Sequence, residues 1–295
     1  MTTAATPDQI GRLERLRAVL ASFDRVVVAF SGGADSAFLA KMATDVLGAT
    51  RVLCATAVSP SLAPEELADC AALAGEWGLQ WQTVTSGEFD DPAYTANDPE
   101  RCYHCKSALM DALDVLDRSS GTPGGEAEAQ ILVGVNVDDL GDHRPGQRAA
   151  AERGARFPLV EAALTKGDVR ALSRVLGLRT WDKPAAACLA SRLPYGTPVT
   201  VSTLSSVAAA EAALRALGYR ELRVRHYGDL ARIELDPGDL ADAVARRDRV
   251  VEAVRAAGYR YVTLDLEGFR SGNLNAAAGI VAADRGAHMG GGGSR

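Results

Sequence analysis

The sequence predicts an α/β fold, a doubly wound parallel sheet followed by a small C-terminal α+β domain, and three observations carry that expectation. Apolar, β-branched runs alternate with amphipathic helical patterns over residues 7–177, the order that a parallel sheet with crossover helices requires. The run Val26-Val27-Val28-Ala29-Phe30 empties into Ser31-Gly32-Gly33-Ala34-Asp35-Ser36, so a buried strand delivers a glycine turn to the start of a helix. After residue 200 the pattern changes to a hairpin flanked by helices.

Each element follows from local chemistry. A helix over 7–21 precedes the first strand, 25–30, and helix 36–47 follows the glycine turn. Strand 51–57 leads to helix 64–77, which opens on Pro64-Glu65-Glu66; proline suits the first turn and the acids suit the positive end of the dipole. Strand 80–85 leads to helix 103–117. The run Gly121-Thr122-Pro123-Gly124-Gly125-Glu126 reads as a surface loop before strand 131–135 and helices 147–154 and 168–177. Helix 202–217, strands 221–227 and 230–235 around the turn Gly228-Asp229, helix 239–257 and strand 259–265 form the second unit. The expected boundaries are a sheet domain over 1–180, a linker loop over 181–198 that bears Cys188, an α+β domain over 199–270 and a flexible tail over 271–295.

Composition narrows the function. With 295 residues and 47% hydrophobic side chains the chain can build a sizeable core. No apolar run approaches the ~20 residues of a membrane span, and the first residues lack a basic-then-apolar leader pattern, so a cytoplasmic location without a membrane partner is expected. The net charge of −6 argues against a broad basic face for nucleic acid. Five cysteines, an odd number, do not suggest a disulfide framework. Cys54 in a strand and Cys70 within a helix read as small core residues. Cys102-Tyr103-His104-Cys105 opens a helix, where the dipole lowers thiol pKa and favours thiolate. Cys188 stands in a loop rich in proline, lysine and arginine. The C-x-x-C alone leaves a redox pair, a structural metal site and accident open. His104, between two chelating cysteines, is poorly placed to reach the same ion. Three thiolates without an obvious fourth ligand suit a [4Fe-4S] cluster with three irons held by Cys102, Cys105 and Cys188 and one iron open.

Ser-Gly-Gly-x-Asp-Ser after a buried strand resembles the PP-loop of the ATP pyrophosphatases, the adenine nucleotide alpha-hydrolase-like superfamily. No G-x-x-x-x-G-K-[ST] occurs and no lysine follows the glycines, which disfavours γ-phosphoryl transfer. Five blocks in order, SGGADS, RCYHCK, GVNVDDLGDHRPG, WDKPAAACLASRLPYG and RVRHYGDLARIEL, make residues 7–270 similar to the ATP-dependent sacrificial sulfur transferase (LarE) family. That resemblance implies adenylylation of a carboxylate of pyridinium-3,5-biscarboxylic acid mononucleotide with release of pyrophosphate, then conversion to a thiocarboxylate for the nickel-pincer nucleotide of lactate racemase. Members with only the third cysteine sacrifice its sulfur; a chain with Cys102, Cys105 and Cys188 resembles the cluster enzymes. The resemblance also implies a homo-oligomer, a hexamer.

Site residues follow from the match. Ser31, Gly32, Gly33, Asp35 and Ser36 would cradle the triphosphate of ATP, with Asp35 helping to orient Mg²⁺ or a loop amide. Ala29 and Thr56 to Val58 would meet adenine and ribose through backbone groups, as in the wider superfamily. Gly134 and Asn136 end the fourth strand on the same rim and would neighbour the α-phosphate. Asp138, Asp139 and Asp142 suit either a metal or an acidic solvated loop. Arg223 and Arg225 alternate on one strand and share a face, where they either grip a substrate phosphate or carboxylate or pair with Glu221 or Glu234. Lys183 and Arg192 flank Cys188, the third cysteine, and would neutralise the acyl-adenylate; Cys188, Asp35 and Arg192 are the expected catalytic residues. His143 reads as structural. Two other functions share these features: a tRNA thiolase of the PP-loop type, and a non-catalytic nucleotide sensor holding zinc.

Overall fold

The computed structural model describes residues 4–119, 129–141, 144–184 and 187–270. Its helices are α1 (Pro7–Ala21), α2 (Ala34–Leu47), α3 (Pro64–Trp77), α4 (Pro92–Thr95), α5 (Arg101–Ser119), α6 (Pro145–Glu152), α7 (Pro158–Glu161), α8 (Lys166–Val175), α9 (Val201–Ala216), α10 (Leu240–Ala245) and α11 (Arg247–Ala256). Strands β1 (Val26–Ala29), β2 (Val52–Val58), β3 (Trp81–Thr85) and β4 (Gln130–Val133) form one parallel sheet in the order β3-β2-β1-β4.

The central strand shows why the sheet carries helices on both faces. All four residues of β1 are buried. Val26 and Val28 share a core with Leu16 and Leu20 of α1, Phe38 and Met42 of α2, Leu73 of α3 and Leu172 of α8. Val27 and Ala29 point the other way, onto Met110 and Leu113 of α5 and Ala150 of α6. Period-2 alternation with both sides apolar is what a parallel strand between two helical layers requires. Beyond β4, Arg156 adds one parallel bridge: Val133 N donates to Arg156 O at 3.0 Å and Arg156 N to Ile131 O at 2.9 Å. Helix starts are fixed by capping boxes, Thr6 with Gln9 on α1 and Thr165 with Asp168 on α8. Asp168 also pairs with Arg12, which fastens α8 to α1.

A second sheet joins β5 (Leu222–Tyr227), β6 (Leu230–Leu235) and β7 (Tyr261–Leu264), the first pair antiparallel and the second parallel. Tyr227 faces Leu230 across a two-residue turn in which Gly228 takes φ 62°, the left-handed geometry a tight hairpin needs. Leu222, Val224, Ile233 and Leu235 pack against Leu214 of α9 and Val250 and Val254 of α11, a core separate from that of the large sheet. A third apolar cluster, Tyr94, Leu189, Ala190, Leu193, Val199, Leu204 and Val207, sits where the chain passes between the two sheets, with Cys105 packed against it.

The expected elements differ from the structure at several points. The single helix over 239–257 is two, broken at Arg246, whose guanidinium turns to Leu217 O and Asp242, both at 3.1 Å. The fourth strand stops at Val133 because Gly134–Asn136 leaves the sheet. Helix α5 starts at Arg101, so both motif cysteines lie inside its first turns. The four-residue helices α4 and α7 were not anticipated. The loop at 121–126, Asp142, His143 and the tail over 271–295 lie outside the described residues.

Candidate active site

All four parallel strands discharge at one rim, and the site is built there. Phe30 N donates to Ala55 O at 2.8 Å and Thr56 Oγ1 to Phe30 O at 2.6 Å, which pins the exit of β1 before the loop turns. Thr56 Oγ1 in turn accepts from Trp81 Nε1 at 2.9 Å. Gly32 has φ 68°, and an added Cβ would stand 2.8 Å from Cys70 Sγ, so the position needs glycine on both conformational and steric grounds. Ser36 Oγ reaches Ser31 Oγ at 3.0 Å and Gly33 O at 3.2 Å, closing the loop on itself at the N-terminus of α2. Ser31 remains exposed while Ser36 is buried. Ala29 is buried under the loop, and Val58 ends β2 half-exposed on the same rim.

The exit of β4 closes the other side. A Cβ on Gly134 would lie 2.9 Å from Ser36 N and Cα, so this backbone packs directly on the first turn of α2. Asn136 is fully buried; its backbone N donates to Asp139 Oδ2 at 3.2 Å, and its Oδ1 accepts from Asp138 N at 3.0 Å. Asp138 caps Lys166 N at 2.7 Å and Asp139 pairs with Arg144 at 2.9 Å, so both acids have structural duties in this loop. Asp35 sits between the two walls. Burial raises its carboxyl above the ordinary range, the Asp139 charge adds to this, and the Asn136 amide, Lys166 and Arg170 oppose it.

The three cysteines gather on the neighbouring part of the rim. Leu189, next to Cys188, donates its N–H to Ser61 O at 2.9 Å, in the turn that follows β2. Cys105 packs into the cluster that contains Leu189 and Tyr94. Burial pushes the Cys105 thiol up to about 12, with the charges of Cys188 and Glu88 adding to it. Solvent touches Cys102, yet the protein around it displaces enough water to raise its thiol too, and Cys188 again adds. The helix start was expected to lower these values; desolvation and mutual repulsion of the sulfurs outweigh the dipole. The cations facing the sulfurs are Arg101 and Lys106, which the sequence reading did not single out. Arg101 is buried, donates to Ala190 O at 2.9 Å and feels Cys188 and Cys102; desolvation lowers Lys106 while Cys105 and Cys102 oppose it. Among the described residues no three His, Cys, Asp or Glu side chains are grouped as ligands of a single metal ion. His104 pairs instead with Asp91 at 2.8 Å.

The remaining expected cations are engaged by protein. Lys183 Nζ holds Gly32 O at 3.1 Å, Asp69 at 2.6 Å and Glu66 at 2.8 Å, so it ties the phosphate loop to α3. Arg192 makes a two-pronged pair with Glu211 at 2.8 and 3.0 Å and donates to Ala187 O and Cys188 O at 2.7 and 3.1 Å. Burial pushes Glu211 upward, but Arg192, the Val224 amide and Arg223 outweigh it and hold its carboxyl below the ordinary range. Arg225 takes the pairing left open by the sequence, with Glu234 at 2.8 Å, and donates to Ser191 O at 2.9 Å. Arg223 stacks over Phe269 at 4.9 Å; burial and the charges of Arg192, Arg225 and Arg215 bring it down to about 10. An anion arriving there would relieve that repulsion.

Comparison with known proteins agrees with this arrangement. A family model described as NAD synthase matches residues 15–101, which contain the glycine loop and the first three strands. An uncharacterized protein of Synechocystis sp. is 48% identical over 266 residues, 90% of this chain and 97% of its own length. The pyridinium-3,5-bisthiocarboxylic acid mononucleotide synthase of Lactiplantibacillus plantarum is 42% identical over 260 residues, 88% of this chain and 92% of its own. An uncharacterized protein of Methanocaldococcus jannaschii is 25% identical over 247 residues, 84% and 91% of the two chains. Identity of that extent to the synthase, across nearly the whole of both chains, makes this protein a member of the ATP-dependent sacrificial sulfur transferase (LarE) family.

Proposed function

We propose that the protein is an ATP-dependent sulfur transferase that adenylylates a carboxylate of pyridinium-3,5-biscarboxylic acid mononucleotide and converts it to a thiocarboxylate, a step toward a nickel-pincer nucleotide cofactor. The observation that carries the reading is the Leu189 N to Ser61 O bond of 2.9 Å: it fastens the Cys188 loop to the rim on which the phosphate loop opens, so an activated acid and a sulfur donor share one edge of the sheet. In the first step a carboxylate oxygen forms a bond to the α-phosphorus as the bond to the β-phosphate oxygen breaks, and pyrophosphate leaves. The backbone N–H groups of Gly32 and Gly33 and the start of α2 stabilise that leaving group. In the second step a sulfur nucleophile at the cysteine site attacks the acyl carbon, and AMP leaves with the electrons of the broken C–O bond. Arg223 grips the substrate's phosphate or free carboxylate.

Two groups absent from the chain itself fit its residues. The Asp35 carboxylate, with one buried oxygen met by no cation and by no donor beyond the Asn136 amide, suits Mg²⁺ on the triphosphate. Cys188, whose charge acts on both Cys102 and Cys105, and these two thiols, faced by Arg101 and Lys106, would be the donor set for a [4Fe-4S] cluster. When bound, such a cluster supplies exchangeable sulfide and spares the Cys188 sulfur. The reading extends to a homo-oligomer, a hexamer by family resemblance, working in the cytoplasm on a small-molecule substrate.

The test is anaerobic iron and acid-labile sulfide quantification on wild type and Cys188→Ala, with an ATP-dependent assay on the pyridinium dicarboxylate. Cluster stoichiometry in wild type, its loss in Cys188→Ala and repeated turnover with added sulfide are expected. Conversion of Cys188 to dehydroalanine, seen as the loss of one sulfur by intact mass, would overturn the cluster version. Steeply salt-dependent tRNA binding, or bound zinc without pyrophosphate release, would overturn the substrate or the enzyme reading.

A further inference from the structure

Arg170 Nε is a buried polar atom beside the phosphate loop with no hydrogen-bond partner among the described residues, and Asp35 Oδ1 and Asn136 Nδ2, buried there too, have no partner beyond the pairing of these two side chains with each other. They come from three different elements, the first turn of α2, the turn after β4 and the middle of α8. Asn136 as a residue is fully buried. Buried donors left without acceptors are costly and mark places where a ligand or water completes the site. Here Arg170 Nε needs an acceptor, and it stands beside a loop whose own hydroxyls are already engaged with each other and with Gly33 O.

Arg170 is held there by packing. Its neighbours Val169 and Leu172 lie in the core that also contains Ala37 and Phe38 of α2, so α8 is fixed against the helix that starts at the loop. Lys166, one turn earlier, lies on the same side of α8. Both cations act on the Asp35 carboxyl across the cleft. The contact given to the Arg170 guanidinium by the protein is a long one, Nη2 to Lys183 O at 3.5 Å. The glycine loop itself carries no lysine. A leaving pyrophosphate gains negative charge as it departs, and backbone N–H groups alone answer it with partial charges.

We propose that Arg170, assisted by Lys166, is the cationic half of the phosphate site and holds the pyrophosphate portion of ATP as it leaves. The inference rests on the adenylylating reading and adds to it a residue outside the phosphate loop. The bond to the α-phosphorus breaks with its electron pair going to pyrophosphate, no proton moves, and Arg170 stays charged throughout. Because its charge acts on Asp35 within the phosphate loop, it is assigned to the β- and γ-phosphates and leaves AMP untouched.

Calorimetric binding of inorganic pyrophosphate, ATP and AMP to the full-length protein, with ATP–pyrophosphate exchange, tests this in Arg170→Ala, Arg170→Lys and Lys166→Ala. Arg170→Ala should weaken pyrophosphate and ATP binding about tenfold or more and slow exchange about 10²-fold, while AMP affinity and Tm stay as in wild type. Arg170→Lys should recover part of the pyrophosphate affinity, and Lys166→Ala should show a smaller loss. Wild-type pyrophosphate binding in Arg170→Ala would overturn the proposal. So would equal losses for AMP and pyrophosphate in Arg170→Lys, which would mark the residue as structural. Pyrophosphate binding that depends on Arg170 in a protein that forms no thiocarboxylate would sink the substrate reading and leave this one standing.

Discussion

Gly134 and Lys183 show how single residues serve the site through contacts that only the folded chain creates. A methyl group on Gly134 would press on Ser36 N and Cα, atoms of a helical backbone that cannot yield as a side chain does. Gly134→Ala is therefore expected to cost about 1–3 kcal/mol and to pull the exit of β4 away from α2. A lower Tm without nucleotide, together with a smaller rise in Tm on adding ATP, is the measurement that checks it. The loop residues Ser31 to Ser36 were legible in the sequence because their chemistry is local: two glycines and two hydroxyls between a strand and a helix. Lys183 was not. Its partners Glu66 and Asp69 lie on α3, far away in sequence, and a lysine in a loop reads as ligand-facing until such partners appear. Arg170 and Lys106 were passed over for the converse reason, since a cation on an amphipathic helix reads as solvated.

At the scale of elements, β5 carries much of the contrast between reading and structure. Period-2 alternation put Arg223 and Arg225 on one face, but register decides what they meet. Arg223 stands opposite Glu234 and Arg225 opposite Arg232, and the diagonal reach of Arg225 takes Glu234. The next residue, His226, is buried and shares a contact of 3.1 Å between its Nδ1 and Tyr259 Oη. Burial holds its imidazole below the ordinary value of 6.5. The unfolded chain thus takes up a proton before the folded one does. The stabilisation is complete above the unfolded value and is lost as pH falls below it toward the folded value. Unfolding should become easier as pH falls below the ordinary imidazole value of 6.5, and His226→Gln should flatten that part of the profile. Chemical denaturation followed at several pH values reads both. The break between α10 and α11 escaped the sequence because neither glycine nor proline marks it; Arg246 leaves the helix for the carbonyl of Leu217, a partner supplied by tertiary structure.

Across the whole molecule, the segment from Cys188 to Thr200 is gripped from both sides. From the large sheet come Leu189 N to Ser61 O, Arg101 to Ala190 O, and Asn97, whose Nδ2 reaches Pro194 O and Thr197 O, each at 2.8 Å, and whose O accepts from Gly196 N at 2.9 Å. Asn97 adopts φ 58°, a left-handed geometry that asparagine tolerates better than most residues. From the second sheet come Arg192 through Glu211, and Arg225 on Ser191 O. Each hydrogen bond contributes on the order of 1 kcal/mol. Asn97→Ala should therefore open the segment about fivefold or more often, seen as faster limited proteolysis between residues 187 and 199. This double grip bears on how such genes can be cut and rearranged. A shortened version ending near residue 198 would keep the grips of Ser61, Asn97 and Arg101 but lose those of Glu211 and Arg225, and would leave the buried Arg192 guanidinium without its carboxylate. The fault line of such a truncation therefore runs through Ser191 and Arg192, three or four residues from Cys188.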